Sequence, residues 1–237
     1  MARPCPRPGN RNPYRSHVHS LSLLFFALTL YREVPERAGH ATGRGRVSGD
    51  ARLVSDVVEG IEGPVVLVGH SYGGQVISNA ANGHDNVKSL VYVAAFAPDD
   101  GEAATDLAGK FPGGTLGEAL APPVKLSGGG VDLYIDQANF HEQFARDVPS
   151  EAAALMAAGQ RPITEAALTE KSDEPAWKSL PSYYVYGDAD KNIPVNALKF
   201  MADRAGSKRT IVVEGASHVV MVSKPEVVAD LIEEAAK

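Results

Sequence analysis

Gly69-His70-Ser71-Tyr72-Gly73-Gly74 contains the pattern Gly-x-Ser-x-Gly, and its setting points to a serine nucleophile. The apolar run Pro64-Val65-Val66-Leu67-Val68 precedes it and the helix-compatible Gln75-Val76-Ile77-Ser78-Asn79-Ala80-Ala81 follows. Strand, sharp turn and helix form the context of a nucleophile elbow. A serine there occupies strained backbone, and its neighbours one turn away must lack side chains or collide. The helix that starts at the turn directs its N-terminal amides and positive dipole end at an oxygen that becomes negative during acyl transfer. The amide of Tyr72, next after the nucleophile, is the expected oxyanion donor.

Such a serine needs a base, and the base needs an orienting acid. In this arrangement the order along the chain is Ser, then Asp or Glu, then His. Ser182-Tyr183-Tyr184-Val185-Tyr186 reads as a strand and runs into the loop Gly187-Asp188-Ala189-Asp190-Lys191-Asn192-Ile193-Pro194. A further strand, Thr210-Ile211-Val212-Val213, leads to Glu214-Gly215-Ala216-Ser217-His218. Reactive groups of open α/β sheets gather at the carboxyl ends of strands, where Ser71, Asp190 and His218 all fall. His218 is the expected base. Asp188 and Asp190 compete for the acid, and Asp188 has a ready alternative in bonding turn amides. His70 should point away from the reacting atoms and read as structural. His84 and His141 lack a partner pattern and read as solvated or packed. No metal site is expected from seven histidines without paired spacing and one cysteine, and no cofactor is implied.

The chain resembles the α/β-hydrolase superfamily. Within it, the resemblance is to the small cofactor-free esterase group that includes plant methyl-ester esterases, hydroxynitrile lyases and bacterial relatives. The stretches that carry it are Val66 to Gly74, Gly187 to Pro194, and Ser217-His218-Val219-Val220-Met221-Val222-Ser223-Lys224-Pro225. The family's Gly-x-x-Asp-x-x-Ile/Val-Pro pattern implies that Asp190, not Asp188, is the acid. Its Asp/Ser-His before Met-x-Ser-Lys-Pro implies that His218 is the base. The resemblance spans residues 51 to 237 and implies an α/β-hydrolase fold: a mainly parallel sheet, helices on both faces and a cap insertion. Residues 98 to 177, rich in Gly, Pro and Ala, stand where the family's cap does. A helix is expected over Ser150 to Ala158, ending at Gly159. Leu133, Tyr134, Phe140, Phe144 and Met156 are candidates for an acyl or alcohol pocket, each more often cap core than pocket wall.

The elements that position these residues alternate along the body. Helix Ala51 to Ile61 has a stripe of Val54, Val57, Val58 and Ile61. Then come the elbow, the strand Val87 to Ala94, the cap, the strand before Asp190, a helix near Val195 to Ala205, the strand before His218, and a terminal helix Pro225 to Ala236. Alternation of this kind implies a mostly parallel sheet. Pro225 suits a first helical turn.

Residues 1 to 50 break the pattern. They hold eight arginines, no lysine and three acids, a net +5, whereas the rest of the chain carries −11. Superfamily members begin with a strand ending in His-Gly, whose loop supplies the second oxyanion amide, and no His-Gly occurs in this chain. The family's first strands are therefore expected to be missing or replaced. Three readings of the head compete. A secretory signal has its arginines and the apolar Leu21 to Leu30, but lacks a convincing cleavage site. A basic arm could bind nucleic acid or anionic lipid. The preferred reading is a misread of an Arg/Pro-rich coding region. On that reading an unpaired sheet edge and half an oxyanion hole leave the chain poorly soluble or weakly active.

Length and composition suit one soluble domain with a sizeable core. The acidic body argues against nucleic-acid binding by the folded part, and the apolar stretch is too short to span a bilayer. A single cysteine, Cys5, fits a reducing cytoplasm. The expected activity is carboxylic ester hydrolysis on small apolar esters by Ser71, His218 and Asp190. Lyase or cofactor-free haloperoxidase chemistry is the alternative enzyme reading, and a non-catalytic ligand binder the alternative class. Substrate identity, the second oxyanion donor and the oligomeric state are not legible.

Overall fold

The computed structural model describes residues 22–26 and 45–237. In chain order its elements are β1 (Ser22–Phe26), α1 (Val47–Glu59), β2 (Val65–His70), α2 (Gly73–Ala80) and β3 (Val87–Val93). The insertion follows, with α3 (Ala104–Lys110), β4 (Val124–Lys125), β5 (Val131–Leu133), α4 (Gln137–Phe144), α5 (Ser150–Gly159), β6 (Ile163–Thr164) and α6 (Glu165–Thr169). The chain closes with β7 (Ser182–Gly187), α7 (Val195–Arg204), β8 (Arg209–Val213), α8 (Val220–Ser223) and α9 (Pro225–Ala235).

The main sheet has the order β1-β2-β3-β7-β8, and every neighbouring pair is parallel. Its two faces follow from the period of two along each strand. Val65, Leu67, Leu90, Tyr92 and Tyr184 enter the core shared with α1, α2 and α7. Val66, Val68, Val91, Val93 and Val185 enter the opposite core, under Val228, Leu231 and Ile232 of α9. Burying each such side chain contributes about 1.5–3 kcal/mol. Tyr92 and Tyr184 stack in the first core at 4.5 Å between ring centroids, and the Tyr92 hydroxyl bonds Ser78 Oγ at 2.7 Å.

Two expectations for the N-terminal part need correction. The sheet does include a strand from the arginine-rich head: β1 pairs along β2 from Ser22↔Val65 to Phe26↔Gly69. Ser22–Phe26 thus supplies the parallel partner that β2 was expected to lack. Helix α1 begins at Val47, so residue 50 falls inside it rather than at a boundary. Its buried stripe is Val47, Ala51, Val54 and Val58, and Val57 is exposed. The remaining expectations for the head, including its nature as signal, arm or misread, lie outside the described residues.

The insertion folds in two parts. Ala104 and Leu107 of α3 and Ala167 of α6 join the first main core. Helices α4 and α5 build a separate small core from Phe140, Ala145, Val148, Ala153 and Ala157, closed by Val219 of the body. The three short strands form their own sheet, β4-β5-β6. Among the described residues no helix is long and apolar enough to cross a membrane.

Candidate active site

Ser71 has φ 54°, in the left-handed region that side chains seldom occupy. The strain is held by bonds across the sheet end: the Ser71 amide donates to the Val93 carbonyl at 3.3 Å, and the Phe96 amide donates to the Ser71 carbonyl at 3.0 Å. The flanking glycines are a packing requirement. A Cβ on Gly69 would stand 2.5 Å from the Gly73 carbonyl oxygen, and one on Gly74 would stand 2.3 Å from that of Phe96. Tyr72 sits at the N-cap of α2. The first amides of a helix have no intrahelical acceptor, so the Tyr72 amide can donate to a bound group. Its side chain does a second task that the sequence did not reveal. The hydroxyl donates to Asp50 Oδ2 at 2.9 Å and ties the elbow to the start of α1. Burial raises the Asp50 carboxyl above its ordinary range, partly offset by this bond.

Asp190 and His218 meet beneath the ends of β7 and β8. His218 Nδ1 lies 2.7 Å from Asp190 Oδ2, and both side chains are fully buried. Asp190 Oδ1 accepts the amides of Asn192 at 2.8 Å and Ile193 at 3.0 Å. That leaves Oδ2 to face the imidazole and fixes the tautomer with the proton on Nδ1. Nε2 of His218 is buried without a partner among the described residues, the state in which a ring nitrogen can accept a proton. Asp188 is elsewhere: it is exposed, and its Oδ1 accepts the Gly215 amide at 2.6 Å.

The two loops approach closely because Gly187 has no side chain. A Cβ there would overlap the Ala216 carbonyl oxygen at 1.9 Å. The Ala189 amide donates to that same carbonyl at 3.1 Å. Gly187 was visible in sequence only as a letter of a motif.

His70 is buried beside His218. Its Nε2–H donates to the His218 carbonyl at 3.0 Å, and the two rings lie 4.7 Å apart. Burial, reinforced by the neighbouring His218, holds the His70 imidazole down to about 3, so it stays neutral. His141 bonds the Val148 carbonyl at 2.8 Å inside the cap, and His84 bonds Ser55 Oγ at 2.7 Å. Neither contacts the Asp190–His218 pair. The end of α4 does. The Phe144 ring stands edge-on to His218 at 4.9 Å, and Ser217 Oγ donates to Asp147 and, at 3.2 Å, to the Phe144 carbonyl. Of the pocket candidates, Phe140 is cap core and Met156 packs on that core. Phe144 packs against His218. Among the described residues no group of three His, Cys, Asp or Glu could hold a metal ion.

The second oxyanion donor is expected after the first strand. Phe26 is in register with Gly69, so β1 ends beside the elbow. The residues that follow it lie outside the described ones.

A parallel α/β sheet with a strained serine at one strand end and a carboxylate–imidazole pair at two others is the layout of enzymes that place their reactive groups at strand C-termini. Residues 11–231 match the family described as "Alpha/beta hydrolase family", and the chain belongs to that family. The match begins well inside the arginine-rich head, forty residues before the resemblance legible in sequence. The chain is similar to the alpha-hydroxynitrile lyase of Arabidopsis thaliana, 29% identical over 175 residues that cover 70% of this chain and 67% of that protein. It is also similar to methylesterase 8 of Arabidopsis thaliana, 27% identical over 176 residues covering 70% of this chain and 61% of the other. The chain thus spans less than two thirds of the length of methylesterase 8. Among solved structures, polyneuridine aldehyde esterase shares the fold with a TM-score of 0.67 at 19% identity, over 81% of this chain and 80% of that one.

Proposed function

We propose that this protein is a serine carboxylesterase acting on small, fairly apolar esters. The observation that carries the reading is the Asp190–His218 hydrogen bond, with its free Nε2, at the same sheet end as the strained Ser71. In the proposed reaction Ser71 Oγ attacks the ester carbonyl as His218 Nε2 takes its proton. The carbonyl oxygen gains the negative charge and receives the Tyr72 amide. The tetrahedral intermediate collapses, and His218 delivers its proton to the departing alcohol. Water then attacks the acyl-serine by the same route, returning Ser71 and releasing the acid. Asp190 holds the tautomer and stabilises the imidazolium without taking the proton. The preference for apolar esters rests on the Phe144 ring beside His218 and on the apolar cap core behind it. Methylesterase and esterase names among the similar proteins point the same way. A cytoplasmic location belongs to this reading and rests on the single cysteine.

The test is hydrolysis of a short-chain nitrophenyl ester. Ser71→Ala and His218→Ala should each lower kcat by up to about 10⁶-fold, and Asp190→Asn by about 10⁴-fold. Asp188→Asn should leave most activity, because its partner is a backbone amide. Activity that survives Ser71→Ala would sink the reading. A lyase reading on the same residues is favoured by the similarity to the hydroxynitrile lyase. Cyanide release from a cyanohydrin, without ester turnover, would select it.

A further inference from the structure

A cap side chain that no motif marks bonds the acid loop at two adjacent residues, beside the surface pair Lys191–Glu142 at 2.6 Å. Gln143, near the end of α4, is buried, with 6% of its surface exposed. Its Nε2 donates to the Lys191 carbonyl at 3.0 Å and to Asn192 Oδ1 at 2.8 Å. Its Oε1 accepts the Thr115 hydroxyl at 2.9 Å. Both amide hydrogens are used, and all three partners sit in the acid loop or against it. The Thr115 amide also donates to the Lys191 carbonyl, at 2.9 Å. Asn192 in turn gives its own amide to Asp190 Oδ1. A continuous line of hydrogen bonds therefore runs from Gln143 through Asn192 to Asp190 and on to His218 Nδ1.

We propose that Gln143 is a positioning residue, which aims the Asp190 carboxylate by fastening the Lys191–Asn192 segment to the cap. The proposal rests on the reading of Asp190 as the acid of a Ser71–His218–Asp190 triad. The reason is geometric. Asp190 can present Oδ2 to the imidazole only while the amides of Asn192 and Ile193 hold Oδ1. Those amides belong to a loop without regular structure, and Gln143 is the cap side chain that bonds it at two adjacent residues. Removing the donor leaves the Asn192 side-chain oxygen in need of a partner in a largely water-excluded place, and leaves the Lys191 carbonyl with the Thr115 amide alone, so the loop must shift to compensate. A shift of about 1 Å in a group that supports catalysis costs up to about 10²-fold in rate.

The experiment is a double-mutant cycle on ester hydrolysis, with wild type, Gln143→Met, Asp190→Asn and the pair, and with Ser71→Ala alongside. Met conserves volume and removes every polar contact. In the wild-type background Gln143→Met should lower kcat by about 10- to 100-fold with KM changed by less than about twofold. The acidic limb of the kcat/KM profile should move to lower pH, because a poorly aimed carboxylate stabilises the imidazolium less. In the Asp190→Asn background the same change should cost under about threefold. Gln143→Glu keeps the acceptor for Thr115 but turns two donated bonds into repulsion, and should cost at least as much as Met. Equal losses in both backgrounds, or a folded Gln143→Met with unchanged kcat and pH profile, would overturn the role of Gln143. Failure of the triad itself is seen separately, as activity that persists in Ser71→Ala. Circular-dichroism melting checks folding. If Gln143→Met does not fold, Thr115→Val removes one bond to the same amide and carries the cycle, with a smaller loss expected in the wild-type background and none in Asp190→Asn.

Discussion

At Ser71, Asp190 and His218 the chemistry imposes residue types and spacings, and those are what a sequence displays. A serine in the left-handed region needs Gly69 and Gly74 beside it. An acid between two strands in this chain order needs a turn that frees one carboxylate oxygen. Competition between Asp188 and Asp190 could not be decided from turn chemistry, since both are aspartates in one loop; the structure gives Asp188 to the Gly215 amide and Asp190 to the imidazole. Histidine 70 adds a property that sequence does not carry. Its imidazole is neutral in the fold down to about pH 3, against an ordinary value of 6.5 in an unfolded chain. Within that window the unfolded state binds one proton more than the folded state. Stability is therefore fully present above about pH 6.5 and is lost as pH falls toward 3, by up to about 1.4 kcal/mol per pH unit. His70→Gln keeps an N–H donor for the His218 carbonyl and removes the titration. Urea-unfolding midpoints measured through the window should fall less steeply with acid in the variant, by one proton's worth. An unchanged acid slope would show that His70 protonates freely in the native state.

Elements were legible wherever apolar side chains must be buried, on both faces of the central strands and on one stripe of the helices. The apolar run of β2, the strand run of β3, the aromatic and β-branched run of β7 and the stripe of α9 produced boundaries within a few residues of those observed. Strand β1 was not, because an apolar run between arginines and prolines looks the same whether it pairs in a sheet or serves as an export signal. Its pairing with β2 is a long-range event that leaves no local mark. The cap contacts were hidden for a similar reason: Phe144 and Gln143 reach the site only because α4 packs on α5, and nothing in their spacing encodes it. The junction of β7 with the loop after β8 is the tightest place between elements. Gly187→Ala must push the Ala216 carbonyl aside, at a cost of about 1–3 kcal/mol and occasionally more. The same displacement moves Asp190 relative to His218, since the two loops meet there. The variant should lose activity by more than its melting temperature alone explains. Paired thermal melts and initial rates check this, and a variant with wild-type kcat at a temperature where it is folded would count against it.

For the molecule as a whole, strand Ser22–Phe26 of the arginine-rich head is part of the sheet, and the expectation of a bare edge beside β2 gives way to a paired one. The consequence is testable without removing any residue. Neighbouring residues of a strand point their amides to opposite sides, so one of Leu23 and Leu24 must donate toward β2. The double change Leu23→Pro with Leu24→Pro removes that donor whichever it is. Soluble yield should drop and the remaining protein should aggregate on mild warming, as an apolar strand loses its partner. Light scattering during a melt reads this directly; a doubly substituted chain as soluble as the parent would mean that β1 contributes little. The head thus bears on whether the chain folds, and the cap bears on what it does. Because the cap holds the acid loop by Gln143 of α4 and the base loop by Phe144 and by Asp147 just after α4, it is not an exchangeable module. Recombination that imports a foreign cap to change substrate preference would bring in a segment without these three contacts. Single substitutions on the open side of the cap should then be tolerated independently, whereas those on its underside should need matching changes in the loops it grips.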